Sequence, residues 1–349
     1  MKTTKNGREA AMAAIKKKFG TEVLPADEVE DLLPECIPTG SFQLDLKTGI
    51  GGYPRGGIIE IYGPNASGKT SLTLHAIAEA NKMGQRCAFI DAENALDRDY
   101  ARDLGVDLSM MDYHRPHSGE EALDVLEMLA ESDAYSLIAL DSVAALVPLK
   151  ELEGEMGQSH VGLQARLMGQ AMRKITTKLR DSKTTAIFLN QTREKVGMMY
   201  GNPETTSGGN SLAFYATLRF RVSPAPGKAA DLLDPISGEV IGGRKRVKII
   251  KNKMAGTAKH EVIFTLHANN EYGCGIDKMR EIFDMAEAAG FIDKAGAWYS
   301  YNGERLGQGA DNAYKAMDNS VLISMQKDLI DISRVKQPVK DRMKAALDG

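Results

Sequence analysis

The feature that most constrains this chain is an octapeptide in its first quarter. Residues 63–70 read Gly-Pro-Asn-Ala-Ser-Gly-Lys-Thr, which satisfies the phosphate-loop pattern G-x-x-x-x-G-K-[ST]. An apolar run, 58–62, leads into it, and a helical pattern of apolar residues follows it. Strand, loop and helix in this order place backbone N–H groups and the positive end of a helix around a phosphate. The pattern predicts a nucleoside triphosphate site rather than a Gly-rich turn before an ordinary helix.

Two side chains of this loop have predicted roles of their own. Lys69 is expected to reach the β- and γ-phosphates, and the Thr70 hydroxyl to occupy a ligand position on Mg²⁺. The backbone around them is expected to surround the phosphates. The predicted nucleotide contacts are Gly63, Pro64, Asn65, Ala66, Ser67, Gly68, Lys69, Thr70 and Ser71.

Composition narrows the class of protein further. The chain has 349 residues, of which 43% are hydrophobic and 26% charged, with a formal net charge of −3, as in ordinary globular proteins. A polyanion would therefore have to meet local basic patches rather than an overall positive field. Cys36, Cys87 and Cys274 show no C-x-x-C spacing, which argues against zinc and disulfides and favours the cytoplasm. No apolar run is long enough for a transmembrane helix, and the basic N-terminus lacks the apolar core of a signal peptide.

The order of apolar runs predicts the fold class. Short continuous runs alternate with helical patterns through the first two thirds of the chain, which is typical of an α/β protein with a mainly parallel sheet covered on both faces. The runs are 58–62, 87–90, 137–140 and 186–189, and the helical stretches are 70–82, 120–130 and 161–181. Residues 211–223 and 244–250 alternate more and are expected to form antiparallel strands at one edge.

We expect four segments along the chain. Residues 1–37 comprise a short helix, 7–19, and a Pro-marked linker; 38–269 form the main α/β body; 270–330 form a small α+β domain; and 331–349 are a tail. An isolated helix as short as 7–19 is marginal in water. It is therefore expected to dock on its own core or on a neighbouring subunit.

Three polar residues follow predicted strands. Asp141 ends the run 137–140, where a carboxylate faces the ligand crevice and could hold Mg²⁺ through water, or could cap the next helix. Glu93, just past the run 87–90, could orient and deprotonate a water, although such a residue could equally be a surface carboxylate. Gln191 could sense a γ-phosphate and pass that state to the segment after it.

Two segments have the composition of nucleic-acid-binding loops. The second loop, 192–207, combines Arg193 and Lys195 with the apolar residues 198–200, which suits contact with a phosphate backbone and insertion between bases. The first loop, 153–162, precedes a helix that carries Arg166 and Arg173. Composition alone leaves open that both are plain mobile connections.

These residues together resemble the RecA family of bacterial strand-exchange recombinases over about residues 5–320. The resemblance includes runs beyond the general nucleotide motifs, one of them in the predicted small C-terminal domain. The matching runs are 60–64, 87–93, 141–146, 170–174, 188–191, 201–206, 251–253 and 294–301. The resemblance implies the RecA-like ATPase fold with a short N-terminal helix and a small C-terminal DNA-binding domain.

The resemblance also implies residue roles. Glu93 is similar to the family's general base and Gln191 to its γ-phosphate sensor, while Tyr100, with Asp97, resembles the adenine-contacting group. Lys251 and Lys253 look like lysines that reach ATP across the subunit interface, and Phe214 like a relay between subunits. The residues implied to contact DNA are Gly154, Met156, Gly157, Ser159, His160, Arg166, Arg173, Arg193, Lys195, Met198, Met199, Tyr200 and Asn210.

The chain departs from the family pattern at a few positions. Asn65 and Ala66 stand where Glu and Ser are usual, and Ala213 where Lys is common. Neither phosphate-loop change removes a backbone N–H, so triphosphate binding is expected to persist. Residues 339–349 lack the acidic character of many family tails, which predicts readier duplex binding and a weaker Mg²⁺ dependence.

The function that this resemblance implies is ATP-dependent recombination. With ATP and Mg²⁺ between subunits, copies of the chain would form a helical filament on single-stranded DNA, sample duplex DNA and exchange strands. A LexA-type repressor and recombination mediators are further implied partners, and no membrane is. Two alternatives remain at this point: a hexameric helicase-type motor on the same core, and a non-enzymatic scaffold that assists repressor self-cleavage.

Overall fold

A computed structural model describes residues 3–20, 23–24, 33–155, 162–194, 204–227, 230–234, 236–256, 260–270 and 273–348. The chain divides into two compact units, 1–34 and 35–349. The first contains the helix α1 (Thr3–Phe19), whose last turn holds three lysines. Among the described residues, no helix has the length and apolar character needed to cross a membrane.

The strands all belong to the second unit. They are β1 (Cys36–Ile37), β2 (Tyr53–Pro54), β3 (Ile58–Gly63), β4 (Cys87–Asp91), β5 (Met111–His114), β6 (Leu137–Asp141), β7 (Thr185–Glu194), β8 (Glu204–Thr206), β9 (Leu218–Pro224), β10 (Asp231–Leu233), β11 (Val240–Asn252), β12 (Glu261–Asn270), β13 (Gly273–Ile276), β14 (Ile292–Ala295), β15 (Trp298–Tyr301) and β16 (Glu304–Gln308).

The helices of this unit connect or follow the strands. They are α2 (Phe42–Thr48), α3 (Lys69–Lys82), α4 (Arg98–Asp103), α5 (Gly119–Glu131), α6 (Leu149–Leu152), α7 (Leu163–Ser182), α8 (Ser211–Tyr215), α9 (Lys278–Ala289), α10 (Ala310–Lys315), α11 (Asn319–Ile332) and α12 (Gln337–Asp348). Short 3₁₀ turns occupy Leu108–Met110 and Val143–Ala145.

The central sheet is mostly parallel, as the apolar runs predict. Its order is β13-β12-β11-β9-β3-β7-β6-β4-β5, with β10 on β11 and β8 on β7. The strands from β9 to β5 run parallel to one another, and β11, β12 and β13 extend the sheet with antiparallel pairs. We call the side where β3, β4, β6 and β7 end the carboxyl edge, and the opposite side the amino edge.

Both faces of the sheet are covered by apolar packing. One core joins α3 to inward residues of the strands, with Ile59, Ile61 and Leu72 among its members. The other joins α5 and α7 to the opposite face, with Phe188 and Met172 fully buried. Burial on both faces is the reason why these strands read as continuous apolar runs.

The expectation for residues 211–223 was partly wrong. Residues 211–215 form the helix α8, and β9 lies inside the sheet, parallel to β3 and antiparallel to β11. Its alternation of apolar and basic residues does not mark solvent on one face. Arg219 and Arg221 instead meet acidic partners there, Glu60 and Glu204.

The residues that follow the central sheet form a smaller core of their own. The sheet β14-β15-β16 packs with α9, α10 and α11 around Phe283, Tyr299 and Met325. Glu281 of α9 connects this part to α2 because its carboxylate accepts hydrogen bonds from the backbone N–H groups of Phe42 and Gln43.

The segment expected to be a tail contains the helix α12. Val339 in this helix is fully buried, and the Arg342 guanidinium donates to the carbonyl of Ile50. On the other side, Lys344 binds both carboxylate oxygens of Asp331 at 2.6 Å. The helix therefore packs on both α11 and the start of the main body.

Candidate functional site

The phosphate loop lies at the carboxyl edge, between the end of β3 and the start of α3. Gly68 caps α3 with φ 96°, and Ala66 has φ 55°, so the loop turns through left-handed positions. A Cβ on Gly63 would lie 2.0 Å from the carbonyl oxygen of Val222, so no side chain fits at this position. This backbone places consecutive N–H groups at a helix N-terminus, the geometry of an anion site.

Lys69 lies over the loop that precedes it. Its ammonium donates to the carbonyl oxygens of Pro64 at 2.8 Å and Gly63 at 3.3 Å, and the residue is 9% exposed. Burial lowers the pKa of Lys69, while the nearby carboxylates of Asp141 and Glu93 act in the opposite direction. The loop and these two carboxylates thus surround one cation.

Thr70 and Asp141 meet directly. The Thr70 hydroxyl donates to Asp141 Oδ2 at 2.9 Å across the gap between α3 and β6. The pKa of Asp141 is raised to about 6, mainly by burial and to a smaller extent by the carboxylates of Glu93 and Asp91, while the hydrogen bond from Thr70 lowers it. A buried carboxyl crowded by like charges beside a hydroxyl is an arrangement that a divalent cation would relieve.

Glu93 and Gln191 are brought together from separate strands. Gln191 Nε2 donates to Glu93 Oε1 at 3.0 Å, and the Ser142 hydroxyl donates to the same oxygen. The Glu93 backbone N–H binds the carbonyl of Asp141 at 3.1 Å. The predicted base and the predicted sensor are therefore in contact, beside the predicted magnesium ligand.

Asp91, which shares its strand with this group, has a structural role. Its carboxylate accepts from the backbone N–H groups of Ala95 at 3.3 Å and Leu96 at 3.0 Å, and from the Tyr113 hydroxyl at 2.8 Å. These bonds hold the turn that carries Glu93.

Tyr100 lies on the other side of the loop. Its hydroxyl is 2.8 Å from the Ser71 hydroxyl, and Asp97 caps α4 by accepting from the Tyr100 backbone N–H at 3.0 Å. Tyr100 and the phosphate loop line a cavity of about 370 Å³, which is of a size for part of a nucleotide.

Sequence reasoning missed the far wall of this cavity. Lys245, Gly243 and His267, from β11 and β12, line it opposite the phosphate loop. Lys245 Nζ is 3.4 Å from the Ala66 carbonyl, and His267 Nε2 is 3.3 Å from Asp277. These residues come from the antiparallel strands, and no local motif marks them.

Lys251 and Lys253 lie away from this cavity. They bind backbone carbonyls at the end of α8: Lys251 those of Ala213 and Phe214 at 2.8 and 2.7 Å, and Lys253 those of Phe214 and Tyr215, both at 3.3 Å. Burial, and next the charge of Lys253, lower the pKa of Lys251 to about 8.

The strand register shows how far these lysines are from the phosphate loop. Asn252 pairs with Leu218, which pairs with Ile59, near the start of β3. Gly63 lies at the other end of β3, about 13 Å along the strand. Both lysines are thus at the amino edge, and the structure does not bring them to the phosphate loop of their own chain.

Part of the predicted DNA surface is described. Arg166 and Arg173 are exposed on one side of α7, Arg193 and Asn210 are exposed at the ends of the second loop, and Gly154 is half-buried. The other predicted contacts lie outside the described residues: Met156, Gly157, Ser159, His160, Lys195, Met198, Met199 and Tyr200.

The ends of the two loops are joined by a residue that sequence reasoning missed. Gln164, in the first turn of α7, donates to the carbonyls of Val143 and Leu146 at 2.8 and 3.0 Å. Its side-chain oxygen accepts from the Gly208 backbone N–H at 3.2 Å. The first and second loops therefore leave the carboxyl edge side by side.

Comparison with known proteins agrees with this geometry. The family model of the RecA N-terminal domain matches residues 7–276, and that of the RecA C-terminal domain matches 280–325. The chain is 51% identical to Protein RecA of Streptomyces avermitilis over 306 residues, covering 87% of this chain and 78% of that protein. It is 49% identical to Protein RecA of Lactobacillus delbrueckii subsp. bulgaricus over 311 residues, covering 89% and 91%.

Proposed function

The chain belongs to the RecA family, and from this premise we propose how its residues divide the work of a DNA-dependent ATPase. As a member of that family it binds ATP and DNA, assembles into filaments and acts in recombination and repair. The helicase-type motor, left open by the sequence, is not supported, since domain models of the RecA family match both parts of the chain.

One observation carries the mechanism: Gln191 contacts Glu93 at 3.0 Å while it lies in the strand that continues into the second loop. We infer that Glu93 orients and deprotonates the attacking water. Gln191 exchanges its bond to Glu93 for one to the γ-phosphate, and this exchange moves the start of the second loop. ATP state and DNA contact are thereby linked through one side chain.

The residues around Thr70 fit a magnesium ion. Their donors are oxygens, and Mg²⁺ prefers few protein carboxylates together with phosphate and water ligands. The Thr70 hydroxyl and the Asp141 carboxylate would hold it, the latter through water. The ion would offset charge on the β- and γ-phosphates, as Lys69 does from the other side.

We infer that Lys251 and Lys253 act on the ATP of a neighbouring copy. They lie at the amino edge, away from their own phosphate loop, so a head-to-tail contact would bring them to the next carboxyl edge. Such a contact does not close on itself and so produces a filament.

Each segment of the chain has a proposed role in this filament. We propose that 1–37 docks on the next subunit, that 38–269 hydrolyses ATP and holds DNA on the loops 153–162 and 192–207, and that 270–330 binds duplex DNA. The segment 331–349, which contains α12, packs on the main body. The exposed Trp298, with Arg305 5.1 Å from its ring, supports a nucleic-acid surface on 270–330.

Further partners follow from the same proposal. A LexA-type repressor and recombination mediators would bind the assembled filament, and the protein would act in the cytoplasm, where bacterial DNA lies. A repressor-cleavage assay beside a strand-exchange assay tests the first of these.

The decisive experiment measures ATP hydrolysis with and without long single-stranded DNA, with Lys69→Ala as the blank. Stimulation that rises with strand length supports a filament that assembles cooperatively on DNA. A rate that does not change with DNA, or that saturates on a strand long enough for only one ring, contradicts the loop assignments.

A further inference from the structure

The second loop returns to the protein as a short β-ribbon. β8 pairs antiparallel with the end of β7, with Thr192 opposite Thr206 and Arg193 opposite Thr205. In the sheet, β8 pairs with β7 and with no other strand of the described residues. A two-stranded ribbon is marginal by itself, so side-chain contacts decide where it is held.

An ion pair ties this ribbon to a strand that is not its neighbour. Arg221 Nε donates to both carboxylate oxygens of Glu204 at 2.7 Å, and the side chains are 26% and 20% exposed. Arg221 belongs to β9, which β3 separates from β7. The pair therefore spans β3, close to the end that becomes the phosphate loop.

The register shows which residues this pair reaches. Tyr62, the residue before the phosphate loop, pairs with Asn190 on one side and with Arg221 on the other. Burial raises the pKa of Tyr62, and the charges of Arg219, Glu204, Glu60 and Arg221 all act on it, so its phenol lies among them. Glu204 and Arg221 thus meet beside Tyr62, the residue that precedes the phosphate loop.

Asn190 makes a second connection in the same layer. It is fully buried, and its Nδ2 donates to Glu60 Oε1 and to the Ser207 carbonyl, both at 3.0 Å. The next residue, Gln191, contacts Glu93 from the opposite face of the strand. Two adjacent residues of β7 therefore contact the returning loop and the predicted base.

We propose that Arg221 and Glu204 are positioning residues that hold the second loop in register with the phosphate loop, so that DNA bound to the loop changes the rate of ATP hydrolysis. The proposal deepens the proposed function and rests on the second loop being a DNA site. Without the pair, Gln191 still contacts Glu93, and Asn190 still connects Ser207 to Glu60 of β3, but Glu204 no longer connects the start of β8 to β9.

A purely stabilising ion pair would behave differently. Removing one partner of a partly buried pair leaves the other charge without its counter-ion and so destabilises the fold. Such a change would lower the melting temperature and affect hydrolysis with and without DNA alike. Positioning predicts a selective loss of the DNA response instead.

The first experiment compares Glu204→Gln and Arg221→Gln with the parent chain, measuring kcat and KM for ATP with and without single-stranded DNA. We expect DNA stimulation to fall by about tenfold, within the range for coupling between contacting residues. The DNA-free kcat and the KM for ATP should stay within about twofold, because neither residue touches the phosphate loop. Full stimulation in both variants would overturn the proposal.

Two further variants distinguish a loss of the DNA response from a loss of folding. The exchange Glu204→Arg with Arg221→Glu restores opposite charges across β3 and should recover at least part of the stimulation. Arg86→Gln is the matched control, since it breaks an exposed pair with Asp112 (3.2 Å) by the same charge change. A properly folded exchange variant with no recovery, or an equal loss in Arg86→Gln, would contradict the positioning role.

A DNA-free readout separates this proposal from the proposed function. Tryptic cleavage within 193–195 should rise by about tenfold in Glu204→Gln relative to the parent, because the anchor of the returning strand is lost. If the parent chain shows no DNA stimulation, the assignment of the second loop to DNA fails. The cleavage rate still shows whether the pair of Arg221 and Glu204 holds the returning strand. An unchanged rate of cleavage in Glu204→Gln would contradict the proposal that this pair holds the returning strand.

Discussion

The carboxyl and amino edges of the same sheet differ in their charges. At the carboxyl edge, the carboxylates of Asp141 and Glu93 lie near the buried ammonium of Lys69. At the amino edge, Lys251 and Lys253 are satisfied by backbone carbonyls of α8. One edge has carboxylates and a phosphate loop, whereas the other has cations and an exposed aromatic residue, Phe214, 74% exposed.

This difference fits the filament proposed above. In it, an amino edge would lie against the next carboxyl edge, and the lysines of the one would meet phosphates at the other. Coulomb attraction between them is strong in a site that excludes water.

The most direct test uses complementation between two inactive variants. Lys251→Ala should lower DNA-dependent hydrolysis by about 10³-fold if the lysine acts as an arginine finger does. An equal mixture with Glu93→Gln should recover about a quarter of the parent rate, since a quarter of head-to-tail interfaces combine an intact Glu93 with an intact Lys251. Hydrolysis in the mixture that stays at the level of the separate variants would place both residues in one chain's site.

Glu93→Gln alone tests the carboxyl edge. We expect turnover to fall by about 10²–10⁴-fold, the usual contribution of a general base. Affinity for ATP should change little, since Gln keeps the contacts to Ser142 and Gln191. Single-turnover hydrolysis and nucleotide binding measured on the same preparation check both statements, and persistent hydrolysis would remove Glu93 from its role.

The burial of Asp141 predicts a pH dependence of the protein's stability. The folded pKa of Asp141 is raised from its ordinary 3.8 to about 6, so its stabilising effect is complete below the ordinary value and is lost as pH rises through 6. Between pH 5 and 8 this loss is about 1–1.5 kcal/mol. Asp141→Asn should remove that part of the slope in urea denaturation without nucleotide or Mg²⁺. An unchanged slope would mean that Asp141 is ionised at both pH values.

Phe214→Ala tests the amino edge and is expected to have the smallest effect of these variants. An exposed side chain contributes little to folding, so the free energy of unfolding should change by less than about 0.5 kcal/mol. Assembly on single-stranded DNA should weaken by about tenfold or more, the effect of an aromatic anchor in an interface. Light scattering measures the assembly on DNA and denaturation measures the free energy of unfolding, so both measurements on this variant separate the two effects. A large loss of folding stability would assign Phe214 to the chain's own structure.

Sequence reasoning identified the carboxyl edge well because its signals are local. Gly63, Lys69 and Thr70 are set by one octapeptide, and buried parallel strands read as apolar runs that end in Glu93 and Asp141. The same reasoning misread 211–223, because it took the alternation of apolar and basic residues there as the mark of an antiparallel strand at the edge of the sheet. Arg219 is instead paired with the fully buried Glu60, a partner 159 positions away in the chain.

The sequence by itself determined the phosphate loop, the fold class and the residue types available for chemistry, because backbone geometry and burial leave short-range patterns. Which residues meet follows from the three-dimensional packing: Gln191 with Glu93, Arg221 with Glu204, and His267 with the cavity beside the phosphate loop. It also placed Lys251 at the edge opposite Lys69. The order of the strands and the direction of β11 determine how far these residues lie from one another. Strand order and direction depend on the packing of the whole sheet rather than on any local sequence pattern.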